Sequence, residues 1–493
     1  MAPHPLRRLA ASGMAYQSAS LVAGVLALVT LPLYTTHLSE AEFGWAELLL
    51  TSIILVSIAL RAGLQEALVR HWFHDEDADR RSRLARRVVL VVVAGTTVLG
   101  LLVVLLAAPI ARVLLADGHP AGPVRAAALG LWAFTNLEVA NALLRAQEAR
   151  RTYLLASLSN VALTVGSTVV LVVVLGGGAS EYLLGNYAAS TVVLVGVWAS
   201  QRRLLLGARG PAPEGAEVRM APLLRFGLPT VVPELAVFLL NVVDRAWLMG
   251  SSGAAAAGVY AAAVKLATLT IVVARAFQAA WPPLAYDLSD EEAPKAYAQV
   301  VRAYVLVLGW MVVGLTLLRH QIVDVLIGDE FDHGAVAGAL PWLALGWAMW
   351  GLTWVFTTIA GRHHATGRTL PAALLGLVVN IALLAVLVPS LEATGAAIAL
   401  VGAYVVALGA SHLRTRRLML VPFEWGRLAA AVAALVVLGA GLDWVAAPDG
   451  AGGIALRLAG CAVAPLLLVL VGAVRPAEAR VALRAVGSRL PGR

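Results

Sequence analysis

"LPLYTTHLSEAEFGWAELL", residues 31–49, puts a short polar break into what is otherwise a long apolar run. Ser39 and Glu42 have the S-x-x-E spacing of a capping box, in which each side chain takes up a backbone N–H left unpaired at a helix start. Ser39 therefore opens a helix. Leu38 and Phe43 stand at the positions of a hydrophobic staple, and Pro32 and Tyr34 mark where the preceding apolar helix runs out. The stretch reads as a tight turn between two helices, both apolar enough and nearly long enough to cross a bilayer.

Composition extends that reading to the whole chain. Of 493 residues, 60% are hydrophobic and 13% charged, and the mean hydropathy is +0.83; soluble domains average roughly 45–50% apolar and 25% charged. Apolar runs of helical length recur throughout, whereas a membrane barrel would show alternating segments half as long. The expectation is an all-α integral membrane protein of about 14 transmembrane helices. They are placed near Tyr16–Tyr34, Phe43–Leu60, Val88–Ala107, Val124–Leu144, Tyr153–Leu175, Tyr182–Ala199, Leu223–Met249 and Ala254–Ala280, then Tyr304–Leu318, Val336–Ala360, Leu370–Val388, Ala393–Ala410, Leu428–Ala446 and Ile454–Val474.

Lys and Arg in the connections orient these spans. With the N-terminus cytoplasmic, 30 of the 37 basic residues lie in inside segments and three (Arg112, Arg125 and Arg319) in outside ones, while Arg245, Lys265, Arg275 and Arg457 fall within spans. Both termini are therefore expected inside. The formal charge of +8 reflects this topology and contact with anionic lipid rather than nucleic-acid binding. The only cysteine, Cys461, excludes an intramolecular disulfide. Arg7 and Arg8 precede the first apolar segment as in a signal peptide, but no small-x-small cleavage site follows, so the segment is expected to be retained.

The polar stretches from His71 and Gln201 are too short for cores of their own. The second, rich in Gly and Pro, divides the chain into an N-terminal six-helix lobe (1–205), a second six-helix lobe (206–420) and two further helices with a basic tail (421–493). "FGWAELLLTSI" from Phe43 and "AGVYAAAVKLATL" from Ala257 echo one another, each opening the second helix of its half. Both halves start inside, which makes the lobes parallel repeats.

Three stretches resemble one known family. "LPLYTTHLSEAEFG" resembles the first hairpin of the polysaccharide-export branch, the O-antigen and exopolysaccharide flippases, of the multidrug/oligosaccharidyl-lipid/polysaccharide superfamily. "RFGLPTVVPELAVFLLNVVDRAWL" with "AGVYAAAVKLA" is similar to its seventh and eighth helices, including Asp244–Arg245. "NIALLAVLVPSLEATGAAIALVGAYVV" from Asn380 is similar to the eleventh and twelfth. Glu392-Ala393-Thr394 departs from the glycine-containing turn usual there. The resemblance implies a flippase of the bacterial cytoplasmic membrane. It would carry a polyprenyl-pyrophosphate-linked oligosaccharide to the outer leaflet by alternating access, with membrane lipids and the lipid-linked sugar as partners and a polymerase and glycosyltransferases nearby in the pathway. The rival within the superfamily is a proton- or sodium-coupled drug or metabolite antiporter.

An anionic, bulky headgroup requires a hydrated, cation-lined path between the lobes. A charge at a helix centre costs roughly 2.5–3.5 kcal/mol, so intramembrane charges must be paired, hydrated or functional. Candidate substrate contacts are Arg61, Arg145, Arg245, Lys265 and Arg275; candidate coupling or gating residues are Glu138, Glu234 and Asp244. Glu138, Asn141 and Arg145 share one helix face, which either lines the cavity or bridges internally with a snorkelling Arg. Arg61, Gln65 and Arg70 read first as topology charges, and Arg275 serves either purpose. Counting residues along the seventh and eighth helices puts Glu234 and Lys265 at almost the same depth, so they are expected to pair, as a fixed bridge or as a gate. Trp347, Trp350 and Trp354 form a stripe that reads as helix packing before sugar stacking, and Ser157, Asn160, Thr164, Ser167 and Thr168 line a polar path or knit helices together. No spacing suggests a metal site, a cofactor or an enzyme's catalytic set. A membrane glycosyltransferase would need a larger outside loop than any here.

The charge asymmetry makes a direct prediction. Reporter fusions after Gly210 and Gly367 should report the cytoplasm and fusions at Ser252 and Thr394 the outside; reversal at either end would overturn the fourteen-span topology.

Overall fold

The computed structural model describes residues 22, 24–74, 77–115, 121–207, 218–445 and 450–472. The start of the first expected span, the stretch 208–217 and the tail from 473 lie outside them. The described helices are α1 (Gly24–Thr35), α2 (Glu40–Arg61), α3 (Leu64–His74), α4 (Ala78–Leu105), α5 (Ala107–Leu114), α6 (Gly122–Ala146), α7 (Arg150–Val174), α8 (Ala179–Ser200) and α9 (Arg202–Gly207). There follow α10 (Met220–Leu240), α11 (Val243–Ser251), α12 (Gly253–Leu266), α13 (Thr268–Asp287), α14 (Ala293–Leu317), α15 (Arg319–Leu326), α16 (His333–Arg362), α17 (Leu370–Thr415), α18 (Trp425–Val445) and α19 (Ala451–Leu470).

Among the described residues eleven helices are long and apolar enough to cross a membrane, and α12 with α13, bent by 49°, makes a twelfth as one broken span. They reach the expected fourteen only when α17 is divided and the shorter α1 is counted. The division is real in the backbone: Glu392 leaves helical geometry at φ 44°, ψ −121°, so two helices meet there in a sharp turn. That positive φ is the one a glycine would take without strain, and here a glutamate holds it.

Several helices begin earlier than hydropathy suggested. α4 starts at Ala78 rather than Val88, and α14 at Ala293 rather than Tyr304. Their first turns are amphipathic and carry the basic residues of the membrane boundary, so apolar runs alone miss them. Between α13 and α14, Arg362 at the end of α16 donates to the carbonyls of Ala285 and Leu288 and to Asp290. The guanidinium holds the Asp290 carboxyl below the usual carboxylate range.

Packing sorts the helices into two groups. α2, α4, α6, α7 and α8 pack on one another, as do α10, α11, α13, α14, α16 and α17, and α18 and α19 lie against α14. Asp443 of α18 bridges Arg319 at 2.7 Å and the fully buried Arg457 of α19 at 3.2 Å, while Arg457 also donates to the Leu317 carbonyl. The last two helices are thereby fastened to the end of α14.

The groups meet along α2 and α12. The capping box forms as the spacing predicted, with the Ser39 backbone N–H donating to Glu42 and the Glu42 N–H to Ser39 Oγ. Gly44 then lies so close to α12 that a Cβ would run into the Ala254 carbonyl, and a Cβ on Gly258 would run into that of Glu40. The two echoed stretches therefore pack against each other. Around this contact Thr35 Oγ1 accepts from the Gly328 N–H at 2.9 Å, Glu40 accepts from the Asp332 N–H at 2.7 Å, and Phe43 meets Phe331 edge-on. At the far end of α2, Gly63, at φ 69°, abuts the backbone of Gly227 on α10.

Gly258→Ala should therefore destabilise the purified protein by the cost of overpacking, about 1–3 kcal/mol, and lower its thermal unfolding midpoint. Gly250→Ala, where a Cβ meets nothing, is the control and should be neutral or stabilising. Equal behaviour of the two would rule out the close approach.

Candidate functional site

Ionisable side chains gather where α2 faces the second group. Arg61, in the last turn of α2, is almost fully buried, yet it lies 3.8 Å from Glu138 of α6 and 3.4 Å from Glu234 of α10, and donates to Gln65. It is a hub between the groups and not a surface charge at a helix end. About 21 Å away along α2, at 1.5 Å per residue, Glu47 accepts from Lys265 of α12 at 2.9 Å and from the Tyr182 hydroxyl at 3.4 Å. The Glu47 side chain is only 5% exposed. Both ends of α2 are thus closed onto the second group by a glycine contact and an ion pair.

This corrects the expected Glu234–Lys265 pair. The two helices are not the straight rods that a depth count assumes. The seventh span breaks at Asn241–Val242, and the eighth bends after Leu266. Azimuth also differs: Gly258 faces α2, and Lys265, seven residues on, lies on that same face. Each residue pairs with a side chain of the first group.

The break after α10 frees backbone carbonyls, and side chains answer them. Asn241 donates to Val237, Asn380 to Leu240 and Arg245 to Asn241. Asp244 is fully buried and accepts from the Tyr260 hydroxyl and the Arg245 N–H. Arg245 is thereby committed to the break rather than opened to a cavity. Pro229 and Pro233 sit inside a continuous α10.

Two cavities lie beside this interface. One of 310 Å³ is walled by α1, α7 and α8 with Phe43, Phe134 and Lys265. The other, of 200 Å³, is lined by Glu138, Asn141, Tyr153 and Ser157. Phe134, Asn160, Val161 and Ser190 line both. Ser157, Asn160 and Thr164 do face this path, whereas Ser167 donates to the Gly185 carbonyl and Thr168 to that of Thr164, fastening α7 to α8 and to itself. Glu138 and Asn141 share the smaller cavity; Arg145, a half-buried residue of the last turn of α6, does not line it and has no hydrogen-bond or ion-pair partner among the described residues.

Arg275 stands apart. It lies near the middle of α13, exposed, with no hydrogen bond or ion pair among the described residues. A Cβ on Gly24 of α1 would touch Val272 and Thr268. Arg275 follows these by three and seven residues, so it shares the α13 face turned towards α1 and the first group. Trp347 and Trp350 pack edge to face at 5.7 Å against the core, and Thr353 and Thr357 donate to carbonyls of their own helix. That stripe is packing.

Glu47 and Tyr182 escaped the sequence reading. The signal was present: Glu47 is a carboxylate two turns inside an apolar helix, where an uncompensated charge is costly.

A family model described as polysaccharide biosynthesis protein matches residues 9–288, more than half of the chain. No curated protein sequence matches it significantly. Among solved structures, the lipid II flippase MurJ in an inward closed conformation superposes with a TM-score of 0.73 at 12% identity, over 93% of this chain and 97% of that one. An inward-facing multidrug-resistance MATE transporter of the MOP superfamily gives 0.62 at 15%, over 82% and 94%. The Vibrio cholerae MATE transporter VcmN gives 0.59 at 13%, over 84% and 97%. At these identities the likeness is one of fold.

The two alternative pairings predict different rescues. Lys265→Met strands the Glu47 carboxylate and should cut protein abundance, as loss of one partner of a buried pair costs about 3–5 kcal/mol. Adding Glu47→Gln should restore most of it; adding Glu234→Gln should not. Rescue by Glu234→Gln instead would reinstate the pairing expected from depth.

Proposed function

We propose, from the premise that this chain belongs to the polysaccharide biosynthesis protein family and shares the fold of the MOP superfamily, that it is a lipid-linked oligosaccharide flippase. It moves a polyprenyl-pyrophosphate-linked sugar unit from the cytoplasmic to the outer leaflet of a bacterial cytoplasmic membrane. The lobes 1–205 and 206–420 rock about the cleft between them, with 421–493 as an appended hairpin and tail, and with both termini inside. The process is transport, and no covalent step is required of the protein.

The observation that carries this reading is Arg275. An unpartnered guanidinium halfway along a membrane helix, on the face turned to the other lobe, marks a path for an anion. The carboxylates beside the cleft, by contrast, are engaged: Glu47 by Lys265, and Glu138 and Glu234 by Arg61. Arg61 is shared by two carboxylates, so the named charges balance, but the group left without a partner is a cation, which suits a pyrophosphate. The Arg61 and Lys265 bridges serve as the inner and outer closures. A pyrophosphate arriving at Arg61 competes with its carboxylates and opens the inner one. Polymerase and glycosyltransferases are its partners in the pathway.

Deletion of the gene should leave lipid-linked repeat units on the cytoplasmic leaflet and abolish the surface polymer, and Arg275→Ala should reproduce this at normal protein abundance. An unchanged polymer with raised sensitivity to cationic drugs would establish the antiporter instead.

A further inference from the structure

The larger cavity differs in chemistry from the cationic cleft. Its single charged lining group, Lys265, is neutralised by Glu47 at 2.9 Å. Its wall offers no site for a pyrophosphate. It is nevertheless polar, and the polar groups have unused capacity. Ser190 Oγ lies 3.0 Å from Asn160 Oδ1 and 3.2 Å from the Asn186 carbonyl, and the other end of the Asn160 amide has no protein partner among the described residues. Asn186 donates to the Tyr182 carbonyl, leaving its Oδ1 free to accept. The Tyr187 hydroxyl has no hydrogen bond among the described residues either. Donor and acceptor groups on adjacent helices thus look into one space.

Aromatic faces complete it. Tyr34 and Phe43 pack edge-on against Tyr182, with ring centroids 5.0 and 6.2 Å apart, and Phe134 lines both cavities. Small-molecule sites of about 300–1,000 Å³ are typically built in this way, from apolar and aromatic walls with a few placed polar groups. At 310 Å³ this one takes a ring and not a whole repeat unit. The neighbouring 200 Å³ cavity shares Phe134, Asn160, Val161 and Ser190 with it and is lined by Glu138, which lies 3.8 Å from Arg61.

We propose that this cavity is a sugar subsite: an uncharged, polyhydroxylated ring of the headgroup docks between α1, α7 and α8, bonded by Asn160, Asn186 and Tyr187. The pyrophosphate meanwhile stays with the cations of the cleft. The proposal rests on the lipid-linked substrate proposed above and names where its sugar is read. A neutral site with amides of both polarities matches ring hydroxyls, which donate and accept at once. A site built to bond hydroxyls discriminates strongly against a ligand that lacks them, because its own polar groups are then left unpaired.

The experiment measures binding to the full-length protein in lipid nanodiscs by tryptophan fluorescence, with two probes: bare undecaprenyl pyrophosphate and the lipid-linked oligosaccharide extracted from a strain lacking this protein. Wild-type protein should bind the glycolipid more tightly. Asn160→Leu and Asn186→Leu should weaken glycolipid binding about tenfold, towards that of the bare lipid, without changing bare-lipid binding. Tyr187→Phe, which keeps the ring and so the packing, should weaken glycolipid binding in the same selective way. Arg275→Ala should weaken both probes together. The subsite is overturned if Tyr187→Phe and the asparagine variants bind glycolipid as the wild type does, or lose both probes equally; the flippase reading then still stands on bare-lipid binding. If wild-type protein binds neither probe, both readings fail.

Discussion

Two glycines bring the helix groups to backbone contact, and the ion pair beside them follows from that contact. Within a bilayer there is no hydrophobic force between helices, since lipid is as apolar as leucine; association depends on close packing, which small residues permit. Gly44 and Gly258 supply it. Glu47 lies three residues after Gly44, and Lys265 seven after Gly258, so both fall on the faces that the glycines press together. The Cα–Cβ bond of a helical residue tilts towards the N-terminus, which points the long lysine side chain back to the level of the glutamate. One approach distance therefore places a seal and its electrostatic latch.

Charges elsewhere obey the same economy. Arg61 serves two carboxylates, Asp443 serves Arg319 and Arg457, and the broken backbone near Asn241 is answered by asparagine and arginine side chains from three positions. Non-helical backbone at membrane depth persists only where protein groups satisfy it. Arg275 stands out against this background because it lies midway along its helix, whereas Arg145, also without a partner among the described residues, sits in the last turn of α6. Such a group suits a partner met intermittently, and the anionic cargo proposed above is one of that kind.

How far the sequence reached depends on the range of the interaction. The capping box at Ser39 needed only four consecutive residues, and it formed as written. The helical, membrane-spanning character came from composition summed over hundreds of residues and was equally secure. The echo between Phe43 and Ala257 was legible as a repeat, but not that its two copies touch. Pairing was the hardest. Depth along a helix can be counted, but azimuth depends on which neighbour the helix packs against, and the bend after Leu266 and the break at Asn241 are written in tertiary contacts. Lys265 is legible as a charge needing a partner; the partner, Glu47, is hidden because "WAELLL" reads as an unbroken apolar helix start. Asn160 and Ser190 likewise meet across thirty residues of sequence, beyond any local signal.

The two closures sit on one helix, and this limits the proposed cycle. If the outer face opens, Glu47 and Lys265 part, but water enters on that side and solvates both, so the dry penalty of about 3–5 kcal/mol for an orphaned buried charge is not met in full. The inner closure meanwhile stays dry and keeps Arg61 between Glu138 and Glu234. Opening the inner face reverses the roles. Opening both would leave α2 without either latch and would hydrate a continuous path through the membrane, with neither glycine contact to hold the lobes in register. A single rigid α2, closed at each end by a different pair some 21 Å apart, therefore favours states open on one side at most, which is the condition for moving a headgroup without leaking ions.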